Sequence, residues 1–175
     1  MTTDLKQPET TEPRLTGKPV VFLDFDGTIS RRDVTDAILE AFARPEWLQV
    51  EQAWAAGQIG SRECLTQQMA LVDAGADEVN QLLDGIEIDP GLVPLLQACL
   101  ADAVPVHIIS EGFDYCIQRI LLRPSLRLAQ YLTGVQIVCG HAEPVGRRWQ
   151  VAFATPPCVH GCGTCKPVTM DRLNP

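Results

Sequence analysis

Continuous apolar runs along the chain alternate with apolar residues at helical spacing, which is the pattern of an α/β protein. Residues 20–23 are apolar throughout, and residues 105–109 are apolar except for His107, as is typical of strands buried on both faces of a parallel sheet. Weaker strand patterns follow at residues 135–139 and 148–153. The pattern predicts a three-layer, Rossmann-like parallel sheet covered by helices.

Between the first two strands the apolar spacing is helical throughout. Four successive patterns are visible, near residues 34–42, 47–54, 61–72 and 79–83. Ser61 is expected to cap the third helix. We expect these helices to form a compact cap over residues 33–85, with its Trp and Met side chains mostly in the core of the cap. The sheet pattern then resumes, with helices predicted at residues 91–101 and 113–122.

The chain therefore divides into a predicted Rossmann-like core, at residues 19–32 and 86–175, and the inserted cap. A length of 175 residues suits one such domain with a small lobe. Residues 1–18 are polar and rich in Thr, Pro and Glu, so we expect a disordered tail rather than a secretion signal.

The charge and composition of the chain argue against several kinds of binding partner and indicate the cellular compartment. Fourteen basic against 22 acidic residues give a net charge of −8, which argues against a nucleic-acid or anionic-membrane surface. No run approaches the roughly 20 apolar residues that a membrane span needs. The seven cysteines are unevenly spaced, and without a secretion signal reduced thiols in the cytoplasm are expected.

The first strand runs directly into two carboxylates, Asp24 and Asp26, followed by Gly27 and Thr28. Open α/β sheets place their ligands at this end of the strands. Two neighbouring carboxylates can take different catalytic roles, in which one attacks a substrate and the other transfers protons. The alternative interpretation is a turn whose acids are merely solvated.

A second group of polar residues follows the second strand. Ser110, Glu111 and Gly112 precede a predicted helix, and a hydroxyl with free backbone N–H groups at such a place suits a phosphate. Lys166, with Pro167 in the first turn of a late helix, could supply a cation to a phosphoryl group. Each signal alone is weak, because strand-to-helix turns favour small residues and lysines are usually solvated.

Taken together, Asp-Phe-Asp-Gly-Thr, Ser-Glu-Gly and a downstream Lys resemble the motifs of the haloacid dehalogenase-like hydrolases. The resemblance implies that Asp24 attacks phosphorus to form an aspartyl-phosphate and that Asp26 serves as acid and base. It also implies a phosphate-binding set, made of Ser110, Glu111, Gly112 and Lys166. Mg²⁺ is the implied cofactor, bound by Asp24 and by the main-chain carbonyl of Asp26, and its charge would offset that of the substrate.

The helical insert is similar to the cap of the phosphoserine phosphatase-like branch. Pro45-Glu46-Trp47, Gly-Ser-Arg-Glu-Cys at residues 60–64 and Gly-Cys-Gly-Thr-Cys-Lys-Pro at residues 161–167 resemble the methylthiopentenyl phosphate phosphatases of methionine salvage. The resemblance implies a small phosphorylated metabolite as substrate. Asp33 and Arg62 are candidates to face it, although exposed charges on a cap surface are the commoner explanation.

The chain departs from the family pattern after Lys166, where a fourth, acidic motif is expected but only Asp171 follows. In the family order further strands would lie beside the first strand, so residues 20–23 are expected at an exposed sheet edge. The expectation is a fragment, or a chain that relies on a homodimer or a complementing chain, with weak metal binding and turnover. A phosphate-binding relative without activity is the alternative.

Cys158, Cys162 and Cys165 have the spacing C-x₃-C-x₂-C. Zinc would need a fourth ligand, for which His160, His141 or Cys139 could serve. The same spacing resembles the cluster-binding triplet of radical SAM enzymes. Reduced thiols in a Gly-rich loop beside the phosphate-binding lysine are the favoured interpretation, and a metal-binding protein is the alternative.

Overall fold

The computed structural model describes residues 18–174, so the predicted tail lies outside the described residues except for Lys18. Four strands form one sheet in the order β1-β2-β3-β4. The strands are β1 (Val21–Leu23), β2 (Val106–Phe113), β3 (Gln136–Val145) and β4 (Arg148–Phe153). All four lie where the apolar pattern predicts strands, and flanking helices make the fold an α/β, Rossmann-like one.

The sheet is mixed: the predicted parallel arrangement holds for three strands, and only the direction of the fourth needs correction. β1, β2 and β3 run parallel, whereas β4 pairs antiparallel with β3. The cause is a two-residue turn between Val145 and Arg148, in which Gly146 adopts a φ of 64°. A positive φ at this place suits a tight hairpin, which reverses the chain without a crossover helix.

β1 forms one edge of the sheet, as the sequence predicts. Its three residues are only half-buried. Phe22 stacks on His107 of β2, with the ring centroids 5.4 Å apart. The edge therefore remains partly accessible within the part of the chain that the structure describes.

The helices also follow the predicted pattern. Four lie between β1 and β2 in the predicted cap: α1 (Val34–Phe42), α2 (Trp47–Ala55), α3 (Ser61–Ala70) and α4 (Ala76–Asp84). The others are α5 (Leu92–Ala101), α6 (Asp114–Leu121), a 3₁₀ turn (Pro124–Leu126) and α7 (Lys166–Leu173). Gly60, not Ser61, is the N-cap of α3, and the Ser61 hydroxyl instead accepts a hydrogen bond from the Trp54 indole.

The core joins the sheet to both sets of helices. Among its fully buried side chains are Phe25, Ile38, Leu83, Ile108 and Ile117. Of the cap residues predicted as core, Met69 is buried and Trp47 packs against the core. Trp54 is 42% exposed, so the prediction is wrong for this tryptophan.

Two connecting segments join the core to the cap, and these segments pair with each other. Ser30 and Ile88 form an antiparallel bridge, supported by the hydrogen bond from Arg31 N to the Glu87 carbonyl. Arg123, which follows α6, donates to the carbonyls of Asp84 and Ile86. These contacts hold the α4 end of the cap close to the sheet.

The β3–β4 hairpin holds the cap at a second place. The Arg147 guanidinium donates to the Asp73 and Glu78 carboxylates at 2.7 Å. The Trp149 indole donates to the carbonyl of Ala74 at 2.9 Å.

Among the described residues, none of the helices has the length and apolar character that a membrane crossing requires.

Candidate active site

Asp24 follows β1 directly, at the sheet edge where the strands end. The chain turns tightly here, because the carbonyl of buried Phe25 accepts the N–H groups of Thr28, Ile29 and Ser30. Gly27 takes a φ of 69° within this turn, a value that favours glycine. The turn places both carboxylates at one end of the sheet.

The two oxygens of Asp24 have different partners. Oδ1 accepts the N–H of Phe25 at 2.8 Å, and Oδ2 lies 2.5 Å from Nζ of Lys166. The side chains of Asp24 and Lys166 are 37% and 41% exposed. The carboxylate is therefore oriented by the backbone and a cation, while one side remains open to an incoming group.

Both carboxylate oxygens of Asp26 accept hydrogen bonds from the protein. Its Oδ1 accepts the Val34 N–H at 2.9 Å, and its Oδ2 accepts the Ser110 hydroxyl at 3.2 Å. Burial raises the pKa of Asp26 to about 6, helped by the nearby charges of Asp33 and Asp24, while the two hydrogen bonds act in the opposite direction. A carboxyl group with such a pKa can exchange a proton near neutral pH.

Ser110, Glu111 and Gly112 lie within β2, which continues through Phe113, rather than in a loop after the strand. Ser110 is fully buried, and its hydroxyl accepts the Gly112 N–H at 2.9 Å. The Gly112 N–H is therefore already paired with this hydroxyl. The site also has little room for a side chain at residue 112, because a Cβ here would lie 3.0 Å from Asp26 Oδ2 and 3.2 Å from Ser110 Oγ.

Lys166 is the first residue of α7, with Pro167 in its first turn, as the sequence predicts. The loop before it is fixed to β2, because the Glu111 carboxylate accepts the N–H of Gly163 at 2.9 Å. Glu111 thus positions the loop that carries Lys166.

A cavity of about 280 Å³ opens above these residues, between the sheet end and the cap. Six carboxylates line it: Asp24, Asp26, Asp33, Asp36, Glu51 and Glu111. Lys166 is the one basic side chain among the described residues that line this cavity. The wall is therefore strongly acidic, and an anionic substrate would need a cation beside the lysine.

The cap supplies polar and apolar parts of the cavity wall that the sequence did not reveal. Asp36, Glu51, Trp54 and Leu65 all line it. Buried Gln68 donates to the Glu51 carboxylate at 2.8 Å. Helical spacing alone could not separate these residues from an ordinary solvated face. The helix that carries Glu51 and Trp54, α2, has no fully buried residue at all.

The two cap candidates have different surroundings. Asp33 lines the cavity and also caps α1, where its side chain accepts the Asp36 N–H. Arg62 instead faces the loop before α7, donating to the carbonyls of Thr155, Cys162 and Gly163. Its guanidinium also lies 4.9 Å from the centre of the Phe153 ring. The structure favours a role for Arg62 in holding that loop.

The residues around Asp24 fit a hard divalent cation. Mg²⁺ usually takes one or two protein carboxylates and completes its shell with water and phosphate oxygens. The half-exposed Asp24 carboxylate offers such a ligand, and among the described residues no backbone N–H binds the Asp26 carbonyl. The acidic cavity wall would attract a cation to the same place.

The cysteine cluster lies just before Lys166. The sulfur atoms of Cys158, Cys162 and Cys165 are within 4.8 Å of one another, and all seven cysteines of the chain are free. The N–H of Cys162, together with that of His160, lowers the pKa of the Cys158 thiol to about 6. Burial raises the pKa of the Cys162 thiol.

The predicted fourth ligands do not join this cluster in the described part of the chain. His141 is paired with the Asp114 carboxylate at 2.8 Å. Cys139 lies on β3, where burial raises the pKa of its thiol to about 12. His160 is exposed within the turn between Cys158 and Gly161.

Comparison with known families identifies the class of protein to which this fold and site belong. The chain belongs to the haloacid dehalogenase-like hydrolases, because the sequence model of that family matches residues 21–155. The predicted resemblance and the α/β Rossmann-like fold are confirmed. The predicted class, a phosphomonoesterase of this family, is also supported by its relatives.

The chain is similar in sequence to proteins named 2-hydroxy-3-keto-5-methylthiopentenyl-1-phosphate phosphatase. That of Brevibacillus brevis is 28% identical over 163 residues, covering 90% of this chain and 71% of the relative. That of Bacillus pumilus is 29% identical over 162 residues, covering 89% and 67%. The chain is therefore similar to these phosphatases over nearly all of its own length.

Solved structures share the fold. A haloacid dehalogenase family hydrolase from Salmonella enterica superposes with a TM-score of 0.67 at 19% identity, covering 91% of this chain and 54% of the other. A substrate-bound phosphoserine phosphatase gives a TM-score of 0.59 at 15% identity, covering 78% and 63%. The chain thus spans less than two thirds of the length of these two solved proteins.

Proposed function

We propose that this chain hydrolyses a small phosphomonoester with Mg²⁺ through an aspartyl-phosphate on Asp24. The observation that carries the proposal is the arrangement of Asp24, which is oriented by Lys166 and lies beside Asp26 in the same turn. An oriented carboxylate, a cation and a carboxyl group with a raised pKa are the parts that phosphoryl transfer through an aspartate requires.

In the first step an Asp24 oxygen forms a bond to phosphorus while the bond from phosphorus to the ester oxygen breaks. The departing alkoxide takes the proton from Asp26, so an alcohol leaves. Because the pKa of Asp26 is raised to about 6, a useful fraction of this carboxyl group is protonated near neutral pH.

In the second step Asp26, now ionised, accepts a proton from water as the water oxygen bonds to phosphorus. The bond between phosphorus and Asp24 breaks, which releases inorganic phosphate and restores both carboxyl groups. The same residue therefore serves as acid and then as base.

Lys166, Ser110 and Gly112 are proposed to hold the phosphoryl oxygens. Lys166 offers the positive charge, and the Ser110 hydroxyl and Gly112 N–H, which now bond to Asp26 and to each other, would change partners when substrate binds. Asp24 and the Asp26 carbonyl would hold Mg²⁺, which supplies the charge neutralisation that an anionic nucleophile and an anionic phosphate need.

The substrate is proposed to be a small phosphorylated metabolite. A cavity of about 280 Å³ lies just below the range of about 300 to 1,000 Å³ that is usual for ligand sites, which favours a small substrate. The relatives named above make 2-hydroxy-3-keto-5-methylthiopentenyl-1-phosphate the first compound to test. Asp33 remains a candidate substrate contact, because it lines the cavity.

A reducing, cytoplasmic location is part of the proposal, supported by seven free cysteines. Pairing of a second chain along the β1 edge stays a prediction, for which the half-buried β1 residues are the reason.

The test is phosphate release by the purified chain from a panel of small phosphomonoesters, with Mg²⁺ or with a chelator. Asp24→Asn should lower turnover by about 10³-fold or more, whereas Asp171→Asn, on the exposed face of α7, should leave it unchanged. Trapping of radiolabelled phosphate on the wild-type chain, and not on Asp24→Asn, would identify the intermediate. Binding of vanadate by a chain without hydrolysis would instead favour a phosphate-binding relative.

A further inference from the structure

The loop between β4 and α7, residues 154–165, is fixed from two sides. From the core, Glu111 accepts the Gly163 N–H at 2.9 Å. From the cap, Arg62 binds three loop carbonyls, one of them at 2.6 Å. A long loop held at both faces has a defined shape before any ligand binds.

A close backbone contact limits the loop further. Gly161 has a φ of 66° and its Cα lies against Gly60, at the start of α3. A Cβ on Gly60 would lie 2.7 Å from the Gly161 carbonyl oxygen. Glycine at these two positions therefore lets the loop approach the cap, and it brings the turn that follows Cys158 into place.

The three thiols converge within this fixed loop. Their sulfur atoms lie within 4.8 Å of one another, whereas a tetrahedral metal ion with metal–sulfur bonds of about 2.3 Å needs sulfur atoms about 3.8 Å apart. The Cys162 N–H points at Cys158 Sγ, 3.5 Å away. An N–H donor to sulfur stabilises a thiolate, so the backbone is already arranged for a metal-bound Cys158.

We propose that Cys158, Cys162 and Cys165 form a three-thiolate site for a soft divalent metal ion, Zn²⁺ in the cell, with one coordination position left open. Thiolates select zinc over magnesium, so this site is chemically separate from the carboxylates around Asp24. The three thiols are half-buried, which leaves a path for the ion to enter.

The position of the site indicates what the metal does. Cys165 is the N-cap of α7 and directly precedes Lys166, and the carbonyl of Cys162 is one of those that Arg62 binds. A bound ion would link the first turn of α7 to the segment that contacts the cap. The metal is therefore proposed to hold Lys166 and the cap-contacting loop in one arrangement.

The test is a Co²⁺ titration of the whole reduced chain under anaerobic conditions. We expect one equivalent to bind with the intense thiolate-to-cobalt absorption of a tetrahedral site, and Zn²⁺ to displace it. Each of Cys158→Ser, Cys162→Ser and Cys165→Ser should weaken binding by at least about 100-fold. Cys139→Ser, which removes a thiol outside the cluster, should bind as the wild type does.

A second measurement avoids any loss of folding in the variants. In the wild-type chain, Zn²⁺ should slow alkylation of Cys158, Cys162 and Cys165, mapped by mass spectrometry, while the rate at Cys139 stays the same. Absence of a thiolate–cobalt band, or equal alkylation with and without Zn²⁺, would overturn the proposal. So would purification of a brown chain that holds iron and sulfide. None of these outcomes depends on phosphatase activity.

Discussion

The ammonium nitrogen of Lys166 lies 2.5 Å from Oδ2 of Asp24, although 142 residues separate the two along the chain. The contact joins the turn after the first strand to the start of the last described helix. A lysine beside the proposed nucleophile adds positive charge where a phosphoryl group would bind. The site therefore depends on the correct placement of α7, and not only on the sheet.

Replacing Lys166 by Gln should raise KM for a phosphomonoester and lower kcat/KM by about 100-fold, because the charge that attracts the phosphoryl group is lost. Steady-state kinetics at saturating Mg²⁺ would measure both constants. Lys18→Gln removes the same charge from an exposed position and should leave them unchanged. Equal kinetics for the two variants would contradict the assignment of Lys166.

Gly112→Ala should lower kcat by about 10- to 100-fold, since a misplaced catalytic group costs this much. The added methyl group would lie 3.0 Å from Asp26 Oδ2, so the Asp26 carboxylate must shift by a few tenths of an ångström. Gly85→Ala, where a Cβ would meet the nearest atom at 3.4 Å, is the matched control. Unchanged turnover in Gly112→Ala would show that the position of Asp26 is not critical.

Asp26→Asn should stabilise the chain at pH 7 to 8 in the presence of a chelator. The pKa of Asp26 is raised from 3.8 to about 6 by burial, so the folded state holds this proton more tightly than the unfolded state does. Wild-type stability therefore falls as pH rises from about 4 to 6, whereas the variant has no proton to lose here. Above that range the expected gain is about 1 to 3 kcal/mol.

Urea unfolding at several pH values would measure this gain, which should shrink below pH 6. Asparagine can keep both hydrogen bonds, accepting from Val34 N and donating to Ser110 Oγ, so the comparison isolates the charge. Asp102→Asn, at an exposed position after α5, serves as control. A gain that is independent of pH would contradict the raised pKa.

Arg62→Ala should lower the free energy of unfolding by about 2 kcal/mol, because it leaves carbonyls of the half-buried loop without a donor. Arg62→Lys should recover only part of the loss, since one ammonium group cannot reproduce the planar fork. Arg32→Ala breaks an exposed ion pair with Glu40 and should cost less than about 1 kcal/mol. Thermal unfolding would compare the three. A large rise in KM with unchanged stability would return Arg62 to the substrate site.

The strands and the position of the two carboxylates at the end of β1 could be predicted because their signals are local. A continuous apolar run followed by Asp24 and Asp26 indicates a strand and the end at which ligands are expected, although β1 itself is only half-buried at the sheet edge. The antiparallel direction of β4 depends on a short turn at Gly146. That turn could equally have been an ordinary loop, so the sequence did not indicate that this one strand departs from the parallel arrangement.

The role of Arg62 could not be predicted, because its partners lie 93 to 101 residues away. An arginine on a helix of the cap gives no sequence signal that separates a substrate contact from a bond to a distant loop. Gly112 is similar, since its small size matters only through Asp26 and Ser110. Both contacts are products of the tertiary fold.

The bridge between Ser30 and Ile88 makes the two connections to the cap a single two-stranded hinge. Two separate linkers would let the four helices twist and slide freely, whereas a paired ribbon bends most easily about one axis. Any opening of the cavity should thus be a swing of α1 to α4 as one body. That swing would also require the other contacts of the cap to break, those from Arg62 to its loop and those from Arg147 to Asp73 and Glu78.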